Sequence, residues 1–325
     1  MNVCKKILNI LLALAASLLS PAVSVAQVTT WGKTDHKGKP WVSSLSRPYE
    51  IDRGLDGRHK SVWASHGRYY DNSEGQWRWQ RPALFGTTED LFTQTIVVPY
   101  LIPMLENAGA VVFTPRERDW QRHEVIVDND SQISFLSYQE HNLRYPWIDA
   151  PLRGFAYHVG GYRHGENPFE AGTAKQCETT RSKSRQSTVS YQPQIPAAGR
   201  YAVYVSYVTM DGSIDDARYT VWHQGVDTEF RVNQQMGGST WVYLGTFDFD
   251  QGCSDKNRVV LSNYSDTKGV VTADAVRFGG GMGNIERYGQ TSGLPRCLEG
   301  ARYYAQWAGM PCEVYSSKDG QNDYA

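Results

Sequence analysis

Beyond its first 26 residues the chain has no long hydrophobic run, and it has no excess of charge of one sign. A membrane-spanning helix needs about 20 consecutive apolar residues, so we expect no membrane-spanning segment once a leader is removed. The 33 basic and 34 acidic residues give a net charge of −1. Because positive charge dominates binding to a phosphate backbone, we expect no nucleic-acid partner.

Cysteine is scarce, at five in 325 residues, and no Cys-x-x-Cys pair occurs. A zinc finger or a thioredoxin-like site is therefore not expected. Outside the leader remain Cys177, Cys253, Cys297 and Cys312, which allow three disulfide pairings. A helix predicted over residues 298–308 would hold Cys297 and Cys312 about 15 Å or more apart, beyond disulfide reach. The other pairings stay open.

Several catalytic motifs are also missing. There is no Gly-x-Ser-x-Gly turn of the kind that presents the nucleophile of a serine hydrolase. His123-Glu124 is not followed by a second histidine at helical spacing, as a metalloprotease helix would require. The glycines at 279–283 lack the spacing of a phosphate loop, and we interpret them as a linker.

The first 26 residues have the pattern of a secretion signal. Lys5 and Lys6 precede an apolar segment over residues 7–19, and Ser24-Val25-Ala26 supplies the small residues of a cleavage site. The apolar segment is shorter than a bilayer span. We therefore expect a periplasmic or secreted protein.

The residues that carry chemistry are concentrated between positions 61 and 119. Residues 61–65 predict a short strand that ends at His66, Glu89 begins a long helix, and residues 110–113 predict the next strand. Ligands of open α/β folds lie at the carboxyl edge of the sheet, where this imidazole and carboxylate are expected to meet. Both are zinc ligands, and a catalytic zinc usually has three protein ligands. We predict that His66 and Glu89 bind Zn²⁺.

The helix itself contains Pro99 and Pro103, whose missing N–H groups predict a kink or break near Val98. Its apolar stripe at helical spacing is expected to pack on the sheet; the stripe consists of Leu91, Thr95, Val98, Ile102 and Leu105. A rival set of ligands occurs further on, in a glycine-rich segment that we predict to be a loop without metal: His158, His164, Glu166 and Glu170.

Residues 67–88, between the two proposed ligands, predict a loop rich in tyrosine, tryptophan and arginine. Two interpretations stay open. Either the rings form the loop's own small core, as in an Ω-loop, or the loop is a wall of a substrate cleft that offers stacking faces and cations to a carboxylated glycan.

The stretch resembles a known enzyme family. His66-Gly67 after a strand, Glu89 at the start of a helix, and the run from Ala108 through Thr114 to Arg116 are similar to the N-terminal half of the zinc-dependent N-acetylmuramoyl-L-alanine amidases. Segments 79–81, 89–94 and 99–106 resemble a long subgroup that also contains a β-rich insert like that of golvesin and xanthan lyases. The chain departs from the family pattern at Arg68, where glycine is usual, and at the two helix prolines.

The resemblance implies hydrolysis of the amide between N-acetylmuramic acid and L-alanine of peptidoglycan by a zinc-activated water. It also implies a third zinc ligand and a catalytic glutamate later than the last residue of this chain, and nothing at 319–325 matches them. The chain therefore resembles a truncated amidase whose catalytic residues stay unassigned.

After position 119 the pattern changes to short strands with polar turns, which is typical of a β-sandwich. An edge strand is predicted over 124–128, and the further predicted strands include 201–207, 217–223, 230–233, 241–249, 258–263 and 270–278. The predicted fold class is an incomplete α/β amidase-type sheet with helices, interrupted by an all-β sandwich. The predicted domains are the signal peptide 1–26, the first α/β part 27–122, the insert 123–281 and a return into the α/β part over 282–325.

The favoured function is amidase activity, and the alternative is a secreted glycan-binding module without catalysis. In both, the expected partner is peptidoglycan or another glycan. A third interpretation, a polysaccharide lyase, is supported only by the resemblance of the insert.

Overall fold

The computed structural model describes residues 39–51, 54–131 and 138–316. The predicted secretion signal lies outside these residues. The strands, in chain order, are β1 Val42–Ser44, β2 His59–Ser61, β3 Arg68–Asp71, β4 Gln76–Trp79, β5 Val111–Phe113, β6 Val125–Asp128, β7 Tyr138–His141, β8 Ile148–Gly154, β9 Gly172–Glu178, β10 Thr188–Tyr191, β11 Gly199–Val205, β12 Ala217–His223, β13 Val226–Val232, β14 Val242–Phe249, β15 Arg258–Ser262, β16 Val270–Ala273 and β17 Ala275–Phe278.

Helices are few and short. They are α1 Glu89–Phe92, α2 Gln94–Ile96, α3 Ile102–Asn107, α4 Ala301–Trp307 and α5 Cys312–Tyr315, with a π-helical turn at Val97–Leu101 and 3₁₀ turns at Pro168–Glu170, Lys183–Arg185 and Arg296–Leu298. Within the described ranges, none of these helices has the length and apolar character needed to cross a membrane.

Two antiparallel sheets form the predicted β-sandwich. The larger has the strand order β1-β13-β12-β15-β10-β7, and the smaller has the order β14-β11-β17-β6. Side chains of both sheets meet in one buried core, among them Tyr219 and Val259 from the larger sheet and Val203 and Phe278 from the smaller. The bounds of β12 agree with the prediction, and β6 is the edge strand that its sequence predicts.

The smaller sheet is covered on its second face as well. Tyr204 of β11 packs in a second core with Tyr303 and Trp307 of α4 and with Trp77 of β4. Successive side chains of a strand point to opposite faces, so the unbroken burial of 201–205 requires cover on both sides. The return segment therefore supplies one layer of the fold.

The α/β part is small. β2 and β5 pair in parallel, with His59 opposite Val111 and Ser61 opposite Phe113, and the helical segment α1–α3 connects them. Ile102 packs with Ala110 and Val112 in a small separate core. The structure is mainly β. Since the described residues contain only two parallel strands in this part, the structure does not show the predicted amidase-type sheet.

The predicted kink is confirmed, because the π-helical turn Val97–Leu101 surrounds Pro99. The predicted stripe is only partly right. Ile102 is buried, but Thr95 is exposed, because the helix is interrupted after Phe92 and loses the periodicity on which the stripe depends.

One further segment differs from its prediction. The predicted loop 67–88 contains the hairpin β3–β4, since Tyr70 and Trp77 gain burial by pairing. Elsewhere, residues 42–44 form β1 on the edge of β13, where the sheet satisfies their backbone groups. Helix α5 follows Pro311, a residue suited to helix starts.

Candidate functional site

His66 lies five residues after the end of β2, in coil, and its backbone is left-handed with φ 60°. This conformation is uncommon for a residue with a side chain. It is held by Arg116, whose Nη1 donates to the carbonyl of Ala64 at 3.0 Å and to that of His66, and whose Nη2 donates to the carbonyl of Cys297 at 2.9 Å. Arg116 thus fixes the loop that presents the imidazole.

Gly67 is required by the close approach of another segment. A Cβ at this position would lie 2.7 Å from the nitrogen of Gly300 and 2.9 Å from Nη2 of Arg116. The backbone of the neighbouring Arg68 bridges to Glu299 and accepts a hydrogen bond from the Gly300 amide at 2.9 Å. The His-Gly pair of the sequence therefore marks the contact between the His66 loop and the return segment.

The structure brings His66 and Glu89 together, as the sequence predicts. Nε2 of His66 lies 3.6 Å from Oε1 of Glu89, with the histidine side chain 18% and the glutamate side chain 55% exposed. Arg81 joins them: its Nη2 is 3.1 Å from Nε2 of His66, and its Nε is 3.6 Å from Oε2 of Glu89. Arginine has no acceptor, so Nε2 accepts this hydrogen bond with its lone pair.

Buried polar side chains lie next to His66 and Glu89 and hold the surrounding backbone. Asp90 is fully buried and accepts a hydrogen bond from the amide of Arg81 at 2.9 Å, and Gln94 donates to the carbonyl of Cys297 at 2.5 Å. Burial lowers the pKa of Arg116 to about 10, against the opposing effects of Cys297, Asp90 and Glu299. Arg116 therefore remains charged at neutral pH and can hold the His66 loop.

The spacing of His66 and Glu89 suits two ligands of a zinc ion. Two ligands of a tetrahedral zinc with bonds of about 2.0–2.2 Å lie roughly 3.3–3.6 Å apart, and the 3.6 Å between His66 and Glu89 matches two such positions. Within the described residues, however, no group of three or more His, Cys, Asp or Glu side chains could hold a metal ion. The described residues supply part of a zinc site and do not complete one.

The rival glycine-rich segment does not assemble a ligand set either. His158 lies 3.9 Å from Glu166, and His164 lies 3.7 Å from the sulfur of Cys312, so its side chains form separate pairs. The residues 157–167 are a loop, as predicted. The four cysteines of the described residues, Cys177, Cys253, Cys297 and Cys312, are free thiols.

The hairpin between the two proposed ligands is chiefly structural. Tyr69, Tyr70 and Trp77 are buried, and Arg78 pairs with Asp71 at 3.2 Å. These contacts favour the interpretation of a packed segment over that of a sugar-stacking wall. Phe85, at 97% exposure, is the ring of this segment that faces solvent most fully.

A second candidate site lies at one end of the sandwich. Three loops, β7–β8, β9–β10 and β15–β16, border a cleft of about 600 Å³. Its lining consists of Arg144, Tyr145, Glu178, Thr179, Thr180, Arg181, Thr267, Lys268, Gly269 and Val270. Three cations and one carboxylate make this cleft positively charged in a chain whose net charge is −1.

The sequence interpretation missed this cleft. A signal was present in the basic segment Arg181-Ser182-Lys183-Ser184-Arg185. Arg144 and Lys268 are isolated in sequence, and only the fold places them beside Arg181. Charge clustering of this kind cannot be recognised before the loop ends are known to be neighbours.

Comparisons with known proteins find similarity over part of the chain. Residues 163–280 match the Golvesin C-terminal domain family. The chain is 31% identical over 91 residues to a xanthan lyase of Bacillus sp. (strain GL1), an alignment that covers 28% of this chain and 10% of the lyase. It thus spans only a small part of that relative.

Solved structures are similar over about half of the chain. The chain shares 22% identity with Paenibacillus xanthan lyase, over 48% of this chain and 13% of that one, with a TM-score of 0.36. It shares 14% identity with the C-terminal CBM6 of LamC from Zobellia galactanivorans, over 48% of this chain and 99% of that one, with a TM-score of 0.29. Two of the three relatives are thus described as xanthan lyases.

Proposed function

We propose that the β-sandwich of this protein is a glycan-binding module and that the protein acts outside the cytoplasm. The observation that supports this most directly is the match of residues 163–280 to the Golvesin C-terminal domain, together with 31% identity to an enzyme named for a polysaccharide. The cleft contributes to the proposal because Arg181, Thr179 and Lys268 lie inside the matched segment.

The test is a binding panel with the whole chain. Affinity electrophoresis in gels that contain xanthan, a neutral β-glucan or solubilised peptidoglycan should show retardation by at least one polymer, relative to the same gel without polymer. If all three gels leave the mobility of the chain unchanged, the proposal of glycan binding fails.

A second function is favoured by the approach of His66 and Glu89. We propose that the pair belongs to the zinc centre of an N-acetylmuramoyl-L-alanine amidase, in which zinc supplies an activated water when bound. In this chain the guanidinium of Arg81 occupies the lone pair of His66 Nε2, so a zinc ion bound at that atom would have to displace it. Arg116 fixes the orientation of the loop. The peptidoglycan substrate and the amide-cleaving reaction are part of this proposal.

Metal content tests the second proposal. A protein in which a third ligand joins His66 and Glu89 should retain about one zinc per chain after dialysis. In such a protein His66→Ala should abolish zinc retention, and Arg78→Ala, on the neighbouring hairpin, serves as a control that should not. Stoichiometric zinc in His66→Ala would remove His66 from the site.

A further inference from the structure

The side chains of the cleft suit an anion better than a neutral sugar. Arg144, Arg181 and Lys268 are exposed, and Glu178 is the single acidic residue of the lining. Among the described residues, none of the three cations forms an ion pair; the Nε of Arg181 donates to the backbone carbonyl of Asp266 at 3.2 Å. Their charge is therefore available to a ligand.

Aromatic rings lie against the cations at this end of the sandwich. The guanidinium of Arg144 lies 5.1 Å over the ring of Tyr145, and Lys183 lies 5.5 Å from the centre of the Tyr264 ring. Tyr145 is the only aromatic residue of the lining. Since Arg144 covers it, the ring is not a free stacking platform for a neutral sugar, and the exposed guanidinium is instead placed to bind a carboxylate through two parallel hydrogen bonds.

The backbone of the cleft is fixed before any ligand binds. Thr179 joins two of its loops, because its hydroxyl donates to the carbonyl of Thr267 at 2.9 Å and accepts from the amide of Gly269 at 2.9 Å. The amide of Thr180 donates to the carbonyl of Asn263 at 3.0 Å. A preorganised site loses little conformational freedom on binding, so the cations can contribute to affinity without prior ordering of the loops.

We propose that this cleft recognises carboxylated glycans, with Arg144, Arg181 and Lys268 as the groups that contact the sugar carboxylates. The inference rests on the proposed glycan-binding function and adds the class of ligand. It makes acidic polysaccharides the preferred ligands and their uncharged counterparts poor ones.

The experiment compares xanthan with carboxyl-reduced xanthan, in which the carboxylates have become alcohols and the backbone is kept. At about 0.05 M salt, where surface charges are weakly screened, the whole chain should bind native xanthan and should bind the reduced polymer at least about tenfold more weakly. Arg181→Ala combined with Lys268→Ala should weaken binding to native xanthan about tenfold, as expected for two exposed charge contacts. Because both side chains are exposed, an unchanged melting temperature should show that the variant is folded.

Lys256→Ala is the matched control. Lys256 is also exposed, but it precedes β15, whereas Lys268 follows it, so the two lie at opposite ends of that strand. This variant should bind like the parent chain. A single-stranded DNA of comparable charge should bind much more weakly than xanthan.

The outcomes separate the two proposals. Equal binding of native and reduced xanthan would overturn carboxylate recognition but leave the proposal of glycan binding intact. The same conclusion would follow if the double variant bound native xanthan as tightly as the parent chain. Equal binding of DNA would show attraction by charge without recognition of a sugar, which also overturns the inference. Absence of binding to xanthan, peptidoglycan and the neutral glucan together would remove both proposals.

Discussion

Arg277 of β17 and Glu117, which follows β5, form an ion pair of 2.7 Å in which both side chains are completely buried. Glu117 also accepts hydrogen bonds from the hydroxyl of Tyr204 and the amide of Asp119. The guanidinium of Arg277 lies 3.8 Å from the centre of the Tyr204 ring. This pair ties the segment that precedes the sandwich to one of its central strands.

Removal of one partner should destabilise the chain strongly. Arg277→Met leaves Glu117 buried without its cation, and a broken buried pair costs about 3–5 kcal/mol. Urea unfolding should show this loss in the free energy of unfolding. The control is Arg200→Ala, whose Nε is 4.0 Å from Asp248 with both side chains largely exposed, and the cost there should stay below about 1 kcal/mol. Similar losses in the two variants would contradict the structural importance of the buried pair.

The predicted insert, residues 123–281, should fold when expressed alone but with lower stability than the whole chain. Cutting at these bounds removes Glu117, β1 and the rings of Tyr303 and Trp307 that cover Tyr204. Thermal unfolding of 123–281 and of 39–316 should show a lower midpoint for the shorter segment. Equal midpoints would mean that the return segment packs on the sandwich without stabilising it.

Gly67→Ala should destabilise the His66 loop, because the added Cβ meets backbone atoms of Glu299 and Gly300 below 3.0 Å. Overpacking of this kind costs about 1–3 kcal/mol, measurable by urea unfolding. Gly300→Ala is the matched control from the same contact. Its Cβ would meet nothing closer than 3.4 Å, and its effect should be smaller; a larger effect at Gly300 would show that the segments can move apart at Gly67.

Two buried carboxyls should make the chain less stable as the pH rises. Burial raises the pKa of Asp274 to about 7 and that of Asp128 to about 8, from ordinary values of 3.8. At a pH between the ordinary pKa and the raised pKa, each carboxyl is protonated in the folded state and ionised in the unfolded state. The free energy of unfolding therefore falls from about pH 4 to about pH 8 and then levels off. Each group contributes at most about 1.4 kcal/mol per pH unit.

Asp274→Asn isolates this effect. Asparagine can still accept the hydrogen bond that the Phe155 amide donates to Asp274 at 3.0 Å, but it does not titrate. Urea unfolding at pH 5 and pH 8 should show a smaller loss of stability for the variant than for the parent chain. An identical loss in both would mean that Asp274 does not control the pH dependence.

Periodicity in the sequence was enough for the local structure of the sandwich and for part of the site. The strand predicted over 217–223 is β12, the prolines predict the break at Val97–Leu101, and the order of predicted strand, His66 and Glu89 predicts that the two side chains meet. These features depend on residues close in sequence or on a single crossover. The zinc ion and the peptidoglycan substrate, which the family resemblance implies, stay predictions.

Only the tertiary structure decided which residues support the site and where the charged cleft lies. The Arg116 guanidinium reaches the carbonyl of Cys297, 181 positions later in sequence, and Arg144 comes beside Lys268 only when the loops of the sandwich converge. The second face of β11 is likewise covered by α4, which follows about a hundred residues later in the sequence. A sequence pattern reports the periodicity of one element, whereas these contacts depend on how distant elements pack, and no local pattern records that.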